Sequence, residues 1–208
     1  MRLEYPDGAT PLAPDLLEAL IPDLATQQEL NEWEAQNIAA ALRWALRSRN
    51  LRRDLLSVSG LTQLHRRMFD QTWHWAGKLR LSDTNIGVPW HQVSTQAQAI
   101  CDDVHYQMQN TLNTASSLNT VYLWDELAAR FHHRLVLIHP FPNGNGRHAR
   151  LAADLLLSFH GQPMFTWGSA SLEPASLVAD STVRQEYLAA LREADRGSVE
   201  RLLRFVRS

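Results

Sequence analysis

At 208 residues the chain is long enough for one domain with a sizeable core, and 45% hydrophobic with 20% charged residues is the composition of an ordinary globular protein. A formal charge of −2 offers no basic field for direct nucleic-acid binding, and the single Cys101 excludes an intrachain disulfide and a cysteine zinc cluster. The start Met1-Arg-Leu-Glu carries no apolar signal segment and no run approaches the ~18 apolar residues of a membrane span, so the expectation is a reducing, cytoplasmic setting without membrane contact.

Residues 1–25 read as an N-terminal arm. Pro6, Gly8, Pro11 and Pro14 break regular structure, with one short helical turn over Pro14 to Ala19. Thr26 with Glu29 forms a capping-box pattern, which starts a long helix reaching Ser48. Its apolar stripe is Leu30, Trp33, Ala40, Ala41 and Trp44, widened by Ile38, Leu42 and Ala45. Glu34 lies beside that stripe with Leu30 and Ile38 one turn away, so no helical ion pair accounts for it. On those neighbours alone it is a solvated edge residue.

A second helix covers Ser59 to Trp73, with Leu61, Leu64, Met68 and Phe69 buried and His65, Arg66 and Arg67 in solvent. The stretch from Trp73 to His91 contains Gly77, Asn85, Gly87 and Pro89 between short alternating pieces, which predicts a hairpin flap over 79–90. Its alternative is a simple turn excursion with Trp73 and Trp75 in the core. A third helix runs from Val93 to Thr114 on Ile100, Val104 and Met108. The central one, Val121 to Ile138, is apolar enough for deep burial on Leu127, Phe131, Leu135 and Ile138. His132 and His133 on it are expected to be hydrogen-bonded core or boundary residues. The histidines match no standard zinc spacing. After the helix ending near Phe159, Gly161 supplies a C′ stop. Helices over Leu177 to Glu193 and Ser198 to Val206 close an all-α bundle.

One stretch, His139-Pro-Phe-Pro-Asn-Gly-Asn-Gly-Arg-His-Ala-Arg150, concentrates the chemistry. Gly144 and Gly146 permit positive φ and close backbone approach, so main-chain N–H groups can converge on an anion. Asn145 is the expected N-cap of the helix that follows, which puts the positive end of its dipole at the loop. Arg147 and Arg150, three apart, project from one side of the first turn and suit phosphate oxygens. His139 is the natural general base, although a helix C-terminus favours its protonated form. No Gly-x-x-x-x-Gly-Lys-(Ser/Thr) is present, which excludes a P-loop enzyme.

This stretch resembles the motif of the Fic family, His-x-Phe-x-(Asp/Glu)-Gly-Asn-Gly-Arg-x-x-Arg, at His139, Phe141, Gly144, Asn145, Gly146, Arg147 and Arg150. It departs at Asn143, where the family has a carboxylate. The resemblance covers residues 60–160 well and is closest to the small bacterial members called mobile mystery protein B. It implies a single Fic domain over 1–208: the helical Fic fold with a small β-hairpin flap, a core at 60–160, an inhibitory helix at 26–49 and C-terminal helices at 161–208.

The implied activity is protein adenylyl transfer. ATP and Mg²⁺ bind with phosphates over Asn143, Gly144, Asn145 and Gly146. Arg147 and Arg150 hold the β- and γ-phosphates, and His139 deprotonates a Ser, Thr or Tyr hydroxyl of a target protein docked along 79–90. Glu34 stands for the inhibitory acid and is expected to reach Arg150, in a degenerate motif with Leu30 and Ala35 replacing the family's residues. Family members of this kind are often paired with a small helix-turn-helix partner in toxin–antitoxin-like fashion. Asn143 is the implied metal ligand, but as a neutral amide it leaves three readings. These are weaker Mg²⁺ affinity, transfer of another nucleotide-linked group, or a nucleotide- or partner-binding protein without transfer activity.

Overall fold

The computed structural model describes residues 10–113, 120–168 and 181–208. Nine α-helices lie within them: α1 (Pro14–Leu17), α2 (Gln27–Arg47), α3 (Arg49–Asp54), α4 (Val58–Phe69), α5 (Val93–Asn113), α6 (Thr120–Ile138), α7 (Asn145–Phe159), α8 (Thr182–Ala194) and α9 (Glu200–Val206). The helical architecture expected from the sequence is therefore present. Residues 1–9 of the arm, position 114 and the expected start of α8 at Leu177 lie outside the described residues.

Local chemistry sets the boundaries. Thr26 and Glu29 make the expected capping box on α2. Ser48, Ser57 and Ser181 accept hydrogen bonds from backbone N–H groups at the starts of α3, α4 and α8. The short α3 was not legible as a separate element, because its basic run Arg49-Asn-Leu-Arg-Arg-Asp54 buries only Leu51. Helix α6 packs between α5 and α7, α2 lies on α4, and α8 pairs with α9. One contiguous core joins Leu64, Met68, Phe131, Leu135, Leu155 and Leu156. His132 and His133 hold the positions expected of them. His132 is buried against the Tyr187 hydroxyl at 2.9 Å, and His133 meets Asp195 at 2.8 Å.

Two expectations fail here. The buried face of α2 runs through Leu30, Glu34, Ala41 and Ala45, whereas Trp33 is exposed and caps the Gln71 carbonyl. The stripe is thus rotated from the expected one, and Glu34 is on it.

The other failure is the hairpin. Among the described residues the one β-type pairing is an isolated Leu20–Trp73 bridge, and residues 79–90 form irregular turns ending in a short 3-10 turn, Trp90–Gln92. The segment is tied to residues 138–140 instead of to itself. Arg80 N–H and Val88 N–H donate to the carbonyls of Pro140 and Ile138, and the buried Arg80 guanidinium donates to the carbonyls of His139, Ile138, Ser82 and Val88. The Asp83 carboxylate accepts from Trp90 N–H and closes the excursion from its other side.

Candidate active site

The loop between α6 and α7 is built by side chains bonding to its own backbone. Asn145 spends both ends of its amide on Phe141: Oδ1 accepts from Phe141 N–H at 2.9 Å and Nδ2 donates to Phe141 C=O at 2.8 Å. It is therefore not the expected N-cap; it pins the loop. The N-cap is Gly144, at φ 76° with no side-chain cap on the first turn of α7. That φ favours glycine, and a Cβ there would lie 2.7 Å from the Phe69 ring. Leaving the turn uncapped keeps its N–H groups facing the loop, at the positive end of a fifteen-residue helix.

His65 supports the loop from below, and the expectation that it is solvated is wrong. It is fully buried, stacks on Phe141 at 3.7 Å, accepts from Gly77 N–H at 3.0 Å and donates from Nε2 to the Asn143 carbonyl at 3.1 Å. Because the amide can only donate, Nδ1 must be the bare nitrogen and Nε2 the protonated one. Burial pushes its pKa well below the usual value, in keeping with a neutral ring.

His139 sits at φ 54°, a left-handed conformation uncommon outside glycine and concentrated at functional sites. Its backbone is clamped: Arg80 Nε donates to its carbonyl at 2.6 Å. The segment 80–88 also passes close to it, since a Cβ on Gly87 (φ 116°) would fall 2.7 Å from the His139 Cβ. Burial lowers the imidazole pKa to about 4, outweighing the raising effect of the Val136 carbonyl, and nearby Arg80 lowers it further. The helix-terminus effect that favours a protonated ring is thus overcome, and His139 is neutral at pH 7. Its Nδ1 faces the Val136 carbonyl at 3.3 Å. A carbonyl only accepts, so Nδ1 carries the hydrogen and Nε2 presents its lone pair. That nitrogen lies 2.8 Å from the hydroxyl of Thr10.

The two arginines separate. Arg147 Nη1 donates to the Glu34 Oε2 at 2.5 Å, and the guanidinium lies over the Phe69 ring with Nη2 3.4 Å from Asn143 Oδ1. Arg150 turns toward α8, 5.5 Å over the Tyr187 ring. The expected Glu34–Arg150 contact is therefore replaced by Glu34–Arg147. Glu34 itself is 4% exposed, with Trp73 Nε1 donating to its other oxygen at 2.9 Å, which overturns its reading as a solvated edge residue. The structure brings together His139, Asn143, Arg147 and Glu34, and leaves Arg150 to one side.

The residues do not fit a protein-held Mg²⁺. Among the described residues no group of three or more His, Cys, Asp or Glu is arranged to hold a metal. The Asn143 oxygen already accepts from Gly144 N–H at 2.6 Å, and the Glu34 carboxylate is engaged by Arg147 and Trp73. A hard dication favours carboxylate oxygens, of which this loop has none.

Sequence reasoning missed three residues of the site. His65 carried a signal, being one turn from both Leu61 and Phe69 on a buried face. Arg80, at the end of Trp75-Ala-Gly-Lys-Leu-Arg80, carried no signal in its own spacing. Thr10 carried none.

A buried helix pair joined by a glycine loop, with a neutral imidazole on one side and an uncapped helix N-terminus on the other, is an arrangement whose chemistry suits an anion at the loop. Residues 55–157 match the Fic/DOC family, and the chain belongs to that family. It is similar to protein adenylyltransferase fic-1 of Caenorhabditis elegans, at 31% identity over 158 residues, 74% of this chain and 27% of that protein. It is also similar to a uridine 5'-monophosphate transferase of Xanthomonas campestris pv. campestris, at 48% identity over 62 residues, 29% of this chain and 12% of that protein. Among solved structures, a Fic-1 fragment from C. elegans superposes with a TM-score of 0.62 at 28% identity, covering 92% of this chain and 51% of that one. The chain thus spans only about a quarter of the length of the curated fic-1 relatives.

Proposed function

We propose that this chain is a Fic-type protein adenylyltransferase that moves AMP from ATP to a hydroxyl of a protein. The observation that carries the reading is the neutral His139 facing a hydroxyl across the loop from the uncapped start of α7. ATP enters with Mg²⁺ as part of the substrate, its phosphates over Gly144 and Gly146. The helix dipole and the guanidiniums neutralise charge as it develops. His139 Nε2 takes the hydroxyl proton, the oxygen attacks the α-phosphorus, and pyrophosphate leaves. Arg147 must first release Glu34 and Arg150 must leave the Tyr187 ring to reach the β- and γ-phosphates. Glu34 on α2 is thereby the inhibitory acid, acting through Arg147. The target protein docks along 79–90, where Leu81 is 79% exposed and Ile86 and Trp90 also face solvent.

The test is label transfer from α-phosphate-labelled ATP, comparing the native chain with Glu34→Gly and His139→Ala. Label rising in Glu34→Gly and lost in His139→Ala supports the reading. Transfer retained in His139→Ala would reject the base. The similarity to a uridine monophosphate transferase favours one second reading, transfer of another nucleotide, and labelled UTP in the same assay separates the two. A cytoplasmic setting and a small helix-turn-helix partner belong to the same proposal; a native pull-down without such a partner counts against the latter.

A further inference from the structure

The arm is docked at two places. Ala19 and Ile21 exchange backbone hydrogen bonds with His74 and Thr72, and Leu20 bridges Trp73. Farther upstream, Thr10 and Leu12 are buried, with Thr10 only 6% exposed. Pro11 holds Thr10 to an extended conformation. Two bonds then fix Thr10 over the loop: its hydroxyl lies 2.8 Å from His139 Nε2, and its carbonyl accepts from Asn143 Nδ2 at 3.0 Å.

The directions of these bonds follow from their neighbours. His139 Nδ1 holds the hydrogen toward Val136, so Nε2 is bare and the Thr10 hydroxyl donates to it. The Asn143 oxygen receives Gly144 N–H and lies near Arg147, both donors, so its NH₂ must face Thr10. A carboxylate at 143 has no hydrogen to donate and would set oxygen against the Thr10 carbonyl. The amide at this position therefore matches the arm.

We propose that Thr10 is the chain's own acceptor, a hydroxyl held on the base for adenylylation in cis. The inference rests on the transfer chemistry proposed above. His139 Nε2 takes the Thr10 hydroxyl proton, Oγ1 forms a bond to the α-phosphorus of ATP, the bond from that phosphorus to pyrophosphate breaks, and Thr10 becomes an AMP ester. The esterified side chain has no hydrogen left to donate to His139, so modification also dissolves the contact that fills the acceptor position.

The experiment incubates the full chain in a Glu34→Gly background with Mg²⁺ and ATP. It reads intact mass, the modified peptide, and AMP released by transfer to water. The expected result is one adenylyl group at Thr10, lost in Thr10→Val and kept in Thr10→Ser. The labelled fraction should grow at a rate independent of protein concentration. A His139→Ala chain mixed with the Glu34→Gly chain, the two told apart by mass, should stay unlabelled, and label on its Thr10 would overturn modification in cis. AMP release, or label at other residues, with Thr10 bare would overturn the inference while leaving the transfer reading intact. Neither label nor AMP from any variant would overturn both.

Discussion

Replacing Glu34 with Gln separates what this residue does for the fold from what it does to the site. Gln keeps the volume and an oxygen for Trp73 Nε1 but removes the charge facing Arg147. Breaking a buried ion pair by neutralising one partner costs about 3–5 kcal/mol where the other is left dry. Here the Arg147 side chain is 22% exposed against 5% for Glu34, so the guanidinium regains water. The expected loss of stability is therefore smaller, about 2 kcal/mol. The same contact must be given up before a phosphate can take Arg147, so its removal should return up to that amount to binding, an increase in ATP affinity of roughly thirtyfold at 1.4 kcal/mol per decade. Urea unfolding and calorimetric titration with a non-hydrolysable ATP analogue measure the two effects, which have opposite signs. Glu34→Gln that weakens the fold while leaving ATP affinity within about twofold would refute the idea that Glu34 guards Arg147 and reduce it to a structural acid.

Four further outcomes are expected. The pKa values of His132, His139 and His148 lie at about 3, 4 and 4 in the fold against 6.5 for the free side chain. The unfolded chain then binds more protons below pH 6.5, and stability should fall as pH drops from there. The loss is roughly 2 kcal/mol per histidine at pH 5, of which about 1 kcal/mol is returned by Asp154 with its raised pKa, and unchanged urea midpoints between pH 7 and 5 would contradict it. Transfer itself should not decline through pH 6.5 in assays short enough to keep the fold, because His139 remains a free base down to about pH 4. Arg80→Met keeps the stem but strands four carbonyls that water partly recovers, so about 3 kcal/mol of stability and most of the transfer rate should be lost; a variant with native stability would show that the 80–88 excursion holds itself. Asn143→Asp supplies a carboxylate beside the loop and should lower the Mg²⁺ concentration needed for ATP binding about tenfold. An unchanged Mg²⁺ titration would mean that the metal travels on the phosphates alone.

The parts of this molecule that were legible in the sequence are those controlled by neighbours in the chain. The capping box of α2, the apolar runs of α5 and α6 and the glycine stop after α7 are local, and all formed where expected. The site was legible as a list of residues and much less as a set of contacts. Asn145 looked like a cap because Asn precedes so many helices, but Phe141 lies within reach and takes its amide at both ends. The flap looked like a hairpin because its residue pattern alternates; its backbone and the Arg80 fork bond to residues 138–140 instead, and no spacing within 79–90 announces that. Glu34 and Arg147 are 113 positions apart. Their meeting depends on the rotation of α2, which burial of Ala41 and Ala45 settles and Trp33, with its partner at Gln71, does not.

On the proposed reading the contacts that fill this site answer to different ligands. Phosphate would compete with Glu34 for Arg147, a matter of charge, and nothing about a neutral hydroxyl would displace that carboxylate. An incoming hydroxyl competes with Thr10 for His139 on nearly equal chemical terms, so proximity decides, and Thr10 is already in place at 2.8 Å. Asn143 stands between the two, its oxygen toward Arg147 and its NH₂ on the Thr10 carbonyl. A guanidinium drawn away to a phosphate leaves that amide one partner fewer on its oxygen and its hold on Thr10 unopposed. Nucleotide binding and retention of the arm are therefore compatible, which is the order of events a cis acceptor requires: ATP arrives while the hydroxyl stays on its base. Had position 143 been a carboxylate, the same movement of Arg147 would have left a negative charge against the Thr10 carbonyl, and the arm would leave as the nucleotide came in.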